Sequence, residues 1–391
     1  MNFIMQKLPE AGDTVVVGLS GGVDSTVTAL LLKQKGCRVI GVTMSPGMGG
    51  LPEFSGGKKL RSSCYGTDKS KDIADCEKFC NENAIPYRVI DVKDEYQKYV
   101  VDYFKSEYRA GRTPNPCVRC NSFVKFGALL EGVEKQGIAY DYFCTGHYAR
   151  IVKPEAGLWH TDAKPAMIAT ALDSAKDQTY FLYRIPSATL ERVRFPLAEI
   201  EKKDVFRIAK ENRLAASEKD ESQDFISPEY FDALFSDRES LPGDIIDLDG
   251  RVLGRHRGIE HYTIGQRRGL GVASGKPLYV HSIDAKNNLV ILSGSEDLDA
   301  RSLIADDFVW PGDIAPDAPF DAFVKIRFAS RPMRAHVEPY ASHTGESFSG
   351  KPYRISFAEN AHAAAPGQSA VLYIDGVIAG GGIIRRADKD V

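Results

Sequence analysis

The sequence predicts an α/β protein whose first half is a doubly wound parallel sheet, followed by a small central domain and an all-β terminal part. Three observations predict it. Apolar, β-branched runs alternate with helical repeats through the first half, the pattern of strands joined by helical crossovers. A glycine-rich turn joins the first such run to the first helix. From Pro277 onward, short strand-like runs follow one another with turn residues between them. At 391 residues the chain is long for one core, so two or three domains are expected.

Residues 14–19, T-V-V-V-G-L, read as a buried parallel strand, and 24–33 as a helix with Val27, Leu30 and Leu31 on one side. Between them lies S-G-G-V-D-S, residues 20–25. Gly18, Gly21 and Gly22 let the chain turn sharply and leave no Cβ over its amides. Those amides, with the unsatisfied N–H groups of the helix start, make a cradle suited to phosphate. The loop is neither a Walker loop, which ends in G-K-[ST], nor a G-x-G-x-x-G fingerprint.

Residues 38–44 read as the second strand, and the Gly-, Ser- and Lys-rich stretch 45–63 as a mobile loop. A helix over 68–83 precedes the third strand at 87–92, and another spans 95–109. G-R-T-P-N-P-C-V-R-C-N follows at 111–121, then a helix over 122–135 capped by Asn121 or Ser122, then a strand over 141–149 containing T-G-H-Y. Ligands of such sheets sit beyond the carboxyl ends of the strands, which brings the glycine loop, Met44, Gly146 and His147 to one nucleotide pocket. After a helix over 202–214 the texture changes. Boundaries near Glu221 and Gly294 divide the chain into 1–220, 221–293 and 294–391. D-A-K-N-N-L-V-I-L predicts a hairpin, and 366–373 and 380–384 predict further strands.

Hydrophobic content of 43% and charged content of 26% describe an ordinary soluble globular protein. No apolar run approaches the roughly 20 residues that span a bilayer. The start, M-N-F-I-M-Q-K-L-P-E, lacks a signal-peptide apolar region, so a cytoplasmic location without membrane partners is expected. A net charge of −3 does not exclude RNA, because Arg251, Arg255, His256, Arg257, Arg267 and Arg268 concentrate positive charge locally. G-Q-R-R-G-L-G suits a turn presenting two arginines.

Seven cysteines in a long chain argue against a disulfide scaffold. Cys117 and Cys120 form C-V-R-C just before a predicted helix, where the helix N-terminus and Arg119 favour the thiolate. A structural zinc site would need two more ligands at matching spacing, and no second C-x-x-C exists. Reactive or cluster-binding thiols fit this pattern, a buried structural pair being the plain alternative. Cys76 and Cys80, spaced i, i+4, read as helix packing, and Cys37 and Cys144 as core. His147 either approaches the reacting centre or supports it by hydrogen bonding.

S-G-G-V-D-S, G-R-T-P-N-P, C-N and K-F, T-G-H-Y, K-D-Q-T-Y-F-L-Y at residues 176–183 and T-I-G-Q-R-R-G-L-G occur in that order. The chain thereby resembles the tRNA-specific 2-thiouridylases of the ATP-pyrophosphatase superfamily, over residues 14–384. The resemblance implies an adenine nucleotide alpha hydrolase-like first domain and a C-terminal β-barrel. It implies 2-thiolation of the wobble uridine of tRNA: ATP adenylates the uracil oxygen, pyrophosphate leaves, and sulfur replaces the oxygen. It places Gly18, Leu19, Ser20, Gly21, Gly22, Val23, Asp24, Ser25, Met44 and Gly146 around ATP, with Asp24 toward Mg2+. It makes Cys120 the catalytic cysteine and associates the segment of Lys176, Asp177 and Gln178 with tRNA; Cys117 is read from C-V-R-C as its catalytic partner, and Arg267 and Arg268 from their basic turn as tRNA contacts.

Two departures matter. The family has Asp where this chain has Cys117, and a second cysteine in an S-x-x-I-C-F pattern where this chain reads S-Q-D-F-I-S. Two readings stand for sulfur handling: a [4Fe-4S] cluster on Cys64, Cys117 and Cys120, or persulfide exchange between Cys117 and Cys120. The donor is a persulfide carrier or sulfide. Rival readings of the whole chain are another ATP-pyrophosphatase synthetase and a non-catalytic RNA-binding protein.

Overall fold

The structure, a computed structural model, describes residues 2–47, 63–65, 69–218, 224–226, 228–341 and 347–388. The chain divides into two compact units. One comprises Met1–Val100, Cys117–Ala233 and Asp375–Ile378; the other comprises Val101–Pro116, Leu234–Ile374 and Ala379–Val391.

The first unit is built on five parallel strands in the order Tyr87–Asp91, Arg38–Ser45, Thr14–Gly18, Tyr142–Cys144, Val193–Arg194. Thr14–Gly18 is central, and Val15, Val16 and Val17 are completely buried, as a strand covered on both faces requires. Each such valine contributes about 1.5–3 kcal/mol by leaving water. Helix Val23–Gln34 follows the central strand, and its Val23, Val27 and Leu30 pack with Val205 and Ala209 of helix Lys202–Glu211. Helix Ser70–Glu82 places Cys76 and Cys80 in a core with Val15, Val17, Cys37 and Cys144. Burial pushes the Cys80 thiol up to about 12 and those of Cys37 and Cys144 upward as well, so all three stay protonated and inert.

Two local expectations need correction. The strand expected over 141–149 is only Tyr142–Cys144; T-G-H-Y lies in a loop beyond its end, before strand Arg150–Pro154. That later strand joins a separate antiparallel set, Phe3–Met5, Arg150–Pro154 and Met167–Ala169, which had no clear signal in the sequence. The helix expected to begin at 122 begins at Pro116, whose missing N–H is tolerated in a first helical turn. Cys117 and Cys120 therefore lie inside the helical stretch, and from Cys120–Ala128 it runs as a π-helix. The expected mobile loop falls mostly on residues 48–62, outside those described. Ser63–Tyr65 is a short strand paired in parallel with Asp224–Ile226.

The second unit contains a four-stranded sheet, in the order Val252–His256, Gly243–Ile246, Leu289–Ser293, Tyr279–Asp284. The expected hairpin is its Tyr279–Asp284 and Leu289–Ser293 pair. Six further strands close into a barrel: Asp299–Val309, Tyr353–His362, Met333–Pro339, Phe320–Lys325, Ser369–Ile374 and Val377–Asp388, the last pairing back to the first. Leu303, Val324, Val337, Ile355 and Val371 fill it and are fully buried. No helix among the described residues is long and apolar enough to cross a membrane.

Candidate active site

The S-G-G-V-D-S loop leaves the carboxyl end of the central strand and enters the first helix through Gly22, its N-cap, in extended conformation. Gly21 has φ +77°, a left-handed turn that glycine adopts without strain. The loop is fixed from beneath: Leu19 N donates to Val42 O at 2.7 Å, and Thr43 Oγ1 donates to Leu19 O at 3.0 Å. Ser25 Oγ accepts from Ser20 N at 3.1 Å and donates to Gly22 O at 3.1 Å, so the two serine hydroxyls stand side by side at 3.2 Å. Amides without Cβ cover, paired hydroxyls and a helix start form a cradle that fits the phosphates of a nucleotide.

The T-G-H-Y loop packs directly on this cradle. A Cβ on Gly146 would lie 2.7 Å from both Asp24 C and Ser25 N, so no larger residue fits there. His147 is half-buried, and desolvation together with the nearby Lys125 holds its imidazole well below the usual range. It is therefore neutral: Nε2 accepts from Lys125 Nζ at 3.3 Å, and Nδ1–H donates to Thr145 Oγ1 at 2.7 Å. Lys125 also donates to Asn121 Oδ1 at 2.9 Å. His147 thus holds the lysine between Thr145 and Asn121.

Asp24, expected toward magnesium, is engaged by two neighbouring side chains. Lys202 Nζ donates to both its carboxylate oxygens, at 2.6 and 2.8 Å, and Tyr148 Oη donates to Oδ1 at 3.1 Å. Lys202 is only 7% exposed and opens its helix, with its backbone N held by Asp173 Oδ2 at 2.9 Å. A buried cation is thereby fixed beside the phosphate cradle. Among the described residues no group of three or more His, Cys, Asp or Glu could hold a metal ion.

The helix bearing the C-V-R-C thiols docks on the segment containing K-D-Q-T-Y-F-L-Y. Asn121 Nδ2 donates to Phe181 O at 3.1 Å and Ser122 Oγ to Arg184 O at 3.1 Å. Cys117 and Cys120 are half-buried, unlike Cys37, Cys76, Cys80 and Cys144, which are buried. Cys64 lies on strand Ser63–Tyr65. Met44 lies near the end of the strand beside the loop.

Asp177 and Gln178, expected as tRNA contacts, turn inward. Asp177 accepts from Ala171 N at 3.0 Å and from Thr179 N at 3.2 Å, while Gln178 Oε1 accepts from Tyr148 N at 3.0 Å. They hold the loops that carry Tyr148 and Gly146. Lys176 is half-exposed, and Arg267 and Arg268 are exposed in the second unit. Gln266 Nε2 donates to Arg268 O at 2.9 Å and stiffens their turn. His256, counted with the basic cluster, is buried between Asn288 O at 3.0 Å and Gly258 N at 3.2 Å and belongs to the core.

Sequence reasoning missed Lys202, Tyr148 and Lys125. Lys125 belongs to K-F, quoted without a role, and Tyr148 to T-G-H-Y. Lys202 carries no local mark, because a lysine in a polar helix start is ordinarily solvated.

The parallel sheet, its phosphate cradle and the adjoining thiol helix define a HUP-type nucleotide-binding protein. Family profiles described as tRNA methyl transferase HUP domain, tRNA methyl transferase PRC-barrel domain and aminomethyltransferase beta-barrel domain match residues 13–227, 232–294 and 300–384. The tRNA-specific 2-thiouridylase of Endomicrobium trichonymphae is 41% identical over 95% of this chain and 98% of its own length. That of a Synechococcus species is 40% identical over 96% and 98%. The chain belongs to the tRNA-specific 2-thiouridylase family. Among solved structures, the U34-tRNA thiolase of Methanococcus maripaludis with its [4Fe-4S] cluster is similar over 58% of this chain and 68% of that one, at 19% identity and a TM-score of 0.32.

Proposed function

We propose that the protein is an ATP-dependent tRNA uridine 2-sulfurtransferase acting on the wobble uridine in the cytoplasm. The observation that carries this reading is the phosphate cradle, with Gly146 packed onto it and a buried lysine beside it, in a chain of this family. Gly18, Leu19, Ser20, Gly21, Gly22, Val23 and Ser25 hold the pyrophosphate end of ATP, and Met44 and Gly146 line the adenosine. Uracil O2 attacks the α-phosphorus; the new O–P bond forms as the bond to the β-phosphate's bridging oxygen breaks, and pyrophosphate leaves. Lys202, fixed by Asp24, faces the charge that builds on the departing phosphates. A sulfur nucleophile then adds at C2, and the C2–O bond breaks with AMP as leaving group, carrying the former uracil oxygen.

Cys120 and Cys117 handle the sulfur. In the persulfide version, the terminal sulfur of a Cys120 persulfide attacks C2. Cys117 thiolate then cleaves the S–S bond, leaving a disulfide that a thiol reductant must reduce. In the cluster version, Cys117, Cys120 and Cys64 would be the thiolate ligands of an iron-sulfur cluster, which would supply binding of sulfide as the sulfur nucleophile. The pairing of Ser63–Tyr65 with Asp224–Ile226 supports a role for Cys64, since its backbone runs beside the segment where the family's second cysteine falls. The donor is a persulfide carrier or sulfide. Parallel reconstitutions with undermodified tRNA, ATP and either a persulfide donor or sulfide, followed by nucleoside analysis, test the reading; 2-thiouridine is expected from at least one donor, and its absence with both would refute it.

Lys176, Arg267 and Arg268 contact tRNA phosphates. Arg267→Ala with Arg268→Ala is expected to weaken tRNA binding, spare ATP binding, and lower the slope of log affinity against log salt by about 2. Titration at several salt concentrations measures it.

A further inference from the structure

Lys125 is a half-buried cation held by neutral partners. Its Nζ donates to Asn121 Oδ1 at 2.9 Å and to His147 Nε2 at 3.3 Å. Among the described residues no carboxylate pairs with it, whereas Lys202 is answered by both oxygens of Asp24. An ammonium carries three donors, so one remains for a ligand after these two bonds.

Both partners are themselves fixed. Asn121 is buried, and its Nδ2 donates to Phe181 O at 3.1 Å, which turns Oδ1 toward the lysine. His147 donates from Nδ1 to the buried Thr145 at 2.7 Å, which leaves Nε2 as an acceptor. The imidazole packs against Phe126 and Phe195, with ring centroids 5.8 and 5.9 Å away. An apolar wall and a neighbouring ammonium both disfavour a charged imidazole. The lysine is therefore kept in one place by groups that do not neutralise it.

That place lies between the sulfur and nucleotide halves of the site. In the π-helix Cys120–Ala128 the i→i+5 pairing sets Lys125 one turn on from Cys120. His147 directly follows Gly146, where a Cβ would meet Asp24 and Ser25 of the phosphate loop. Lys125 thus ties the thiol-bearing helix to the loop that borders the nucleotide. All of these residues belong to the first compact unit.

We propose that Lys125 is a catalytic residue of the sulfur-transfer half-reaction, its ammonium receiving the phosphate of the adenylated uridine as AMP departs. The proposal rests on the adenylated-uracil reading above. The sulfur nucleophile bonds to C2, and the C2–O bond breaks with its electron pair passing to the oxygen that leaves on AMP. The phosphate thereby gains one negative charge, which a preorganised ammonium meets without giving up its proton. Lys202 serves the pyrophosphate end in the first half-reaction; Lys125 serves the remaining phosphate in the second.

Full-length Lys125→Met, Lys125→Gln and Lys125→Arg are compared with wild type in single turnovers, using undermodified tRNA, ATP and the sulfur donor that wild type accepts. Methionine keeps length without charge, glutamine keeps a donor without charge, and arginine keeps both. Pyrophosphate release, AMP release and 2-thiouridine formation are timed separately, and ATP affinity is measured by titration. Met and Gln are expected to slow AMP release and thiouridine formation by about a hundredfold, so that adenylated tRNA accumulates. Arg is expected to stay within about tenfold of wild type, and all three to release pyrophosphate within about threefold of it. A lysine needed only to hold Asn121 and His147 would be replaced by Gln, and a variant with disturbed packing would lose ATP affinity and pyrophosphate release together. Wild-type AMP release in Gln, or equal losses of pyrophosphate and AMP release in both Met and Gln, would overturn the proposal. A wild type that releases no pyrophosphate in the presence of tRNA would overturn the adenylated-uracil reading and this proposal with it.

Discussion

Cys120→Ala is expected to lose 2-thiouridine formation by about a thousandfold or more, the scale on which removing a nucleophile acts. tRNA-dependent pyrophosphate release should persist, because the phosphate cradle contains no cysteine. Cys117→Ala should also lose thiolation, whereas Cys76→Ala should keep it, its thiol being buried in the helix core. Cys80→Ala should behave the same way, its thiol being buried and held protonated. Cys64→Ala separates the two sulfur routes. Under the cluster route it abolishes thiolation, and anaerobically prepared protein loses iron, as it does with Cys117→Ala and Cys120→Ala. Under the persulfide route Cys64→Ala stays active and the wild type works without iron. Mass spectrometry of the nucleosides, with iron and sulfide analysis of the protein, reads all of these. An active Cys120→Ala would remove both routes.

Asp24→Asn and Lys202→Gln are expected to fail at the opposite half-reaction. Each should lower tRNA-dependent pyrophosphate release by about a hundredfold or more, comparable to removing a preorganised group that meets developing charge. Asp24→Asn leaves the buried Lys202 without its carboxylate, the costlier loss, whereas Lys202→Gln leaves a half-buried carboxylate that still accepts from Tyr148 Oη. The paired change, Asp24→Asn with Lys202→Gln, should recover fold stability without recovering pyrophosphate release. Urea unfolding and a pyrophosphate assay separate those outcomes. Full release from Lys202→Gln would remove the lysine from the adenylation step.

The glycine loop was readable from sequence because its signals are local: a β-branched run, glycines without Cβ, then a helical period. The arginine turn at Arg267 and Arg268 was readable for the same reason. Lys202 was not, since its partner Asp24 lies 178 residues away and nothing near Lys202 announces burial. The π-helical stretch from Cys120–Ala128 has no sequence mark either, because its i→i+5 pairing depends on what the helix packs against. Asp177 and Gln178 illustrate a further difficulty. The resemblance associates their segment with tRNA, and a solvated turn was the plain alternative; neither announces that these side chains accept from the amides of Ala171, Thr179 and Tyr148. T-G-H-Y was placed in a strand because apolar neighbours flank it; the close approach of Gly146 to Ser25 shows why the chain must bend there instead.

The central claim is that the uracil oxygen leaves with AMP, and an isotope label tests it most directly. tRNA carrying 18O at C2 of the target uridine is incubated with ATP, a sulfur donor and the wild-type protein, and the AMP phosphate is analysed by mass spectrometry. One 18O in AMP for each 2-thiouridine formed is the expected result. Thiouridine accompanied by unlabelled AMP, with the 18O released to water or kept in the tRNA, would contradict the adenylated-uracil route.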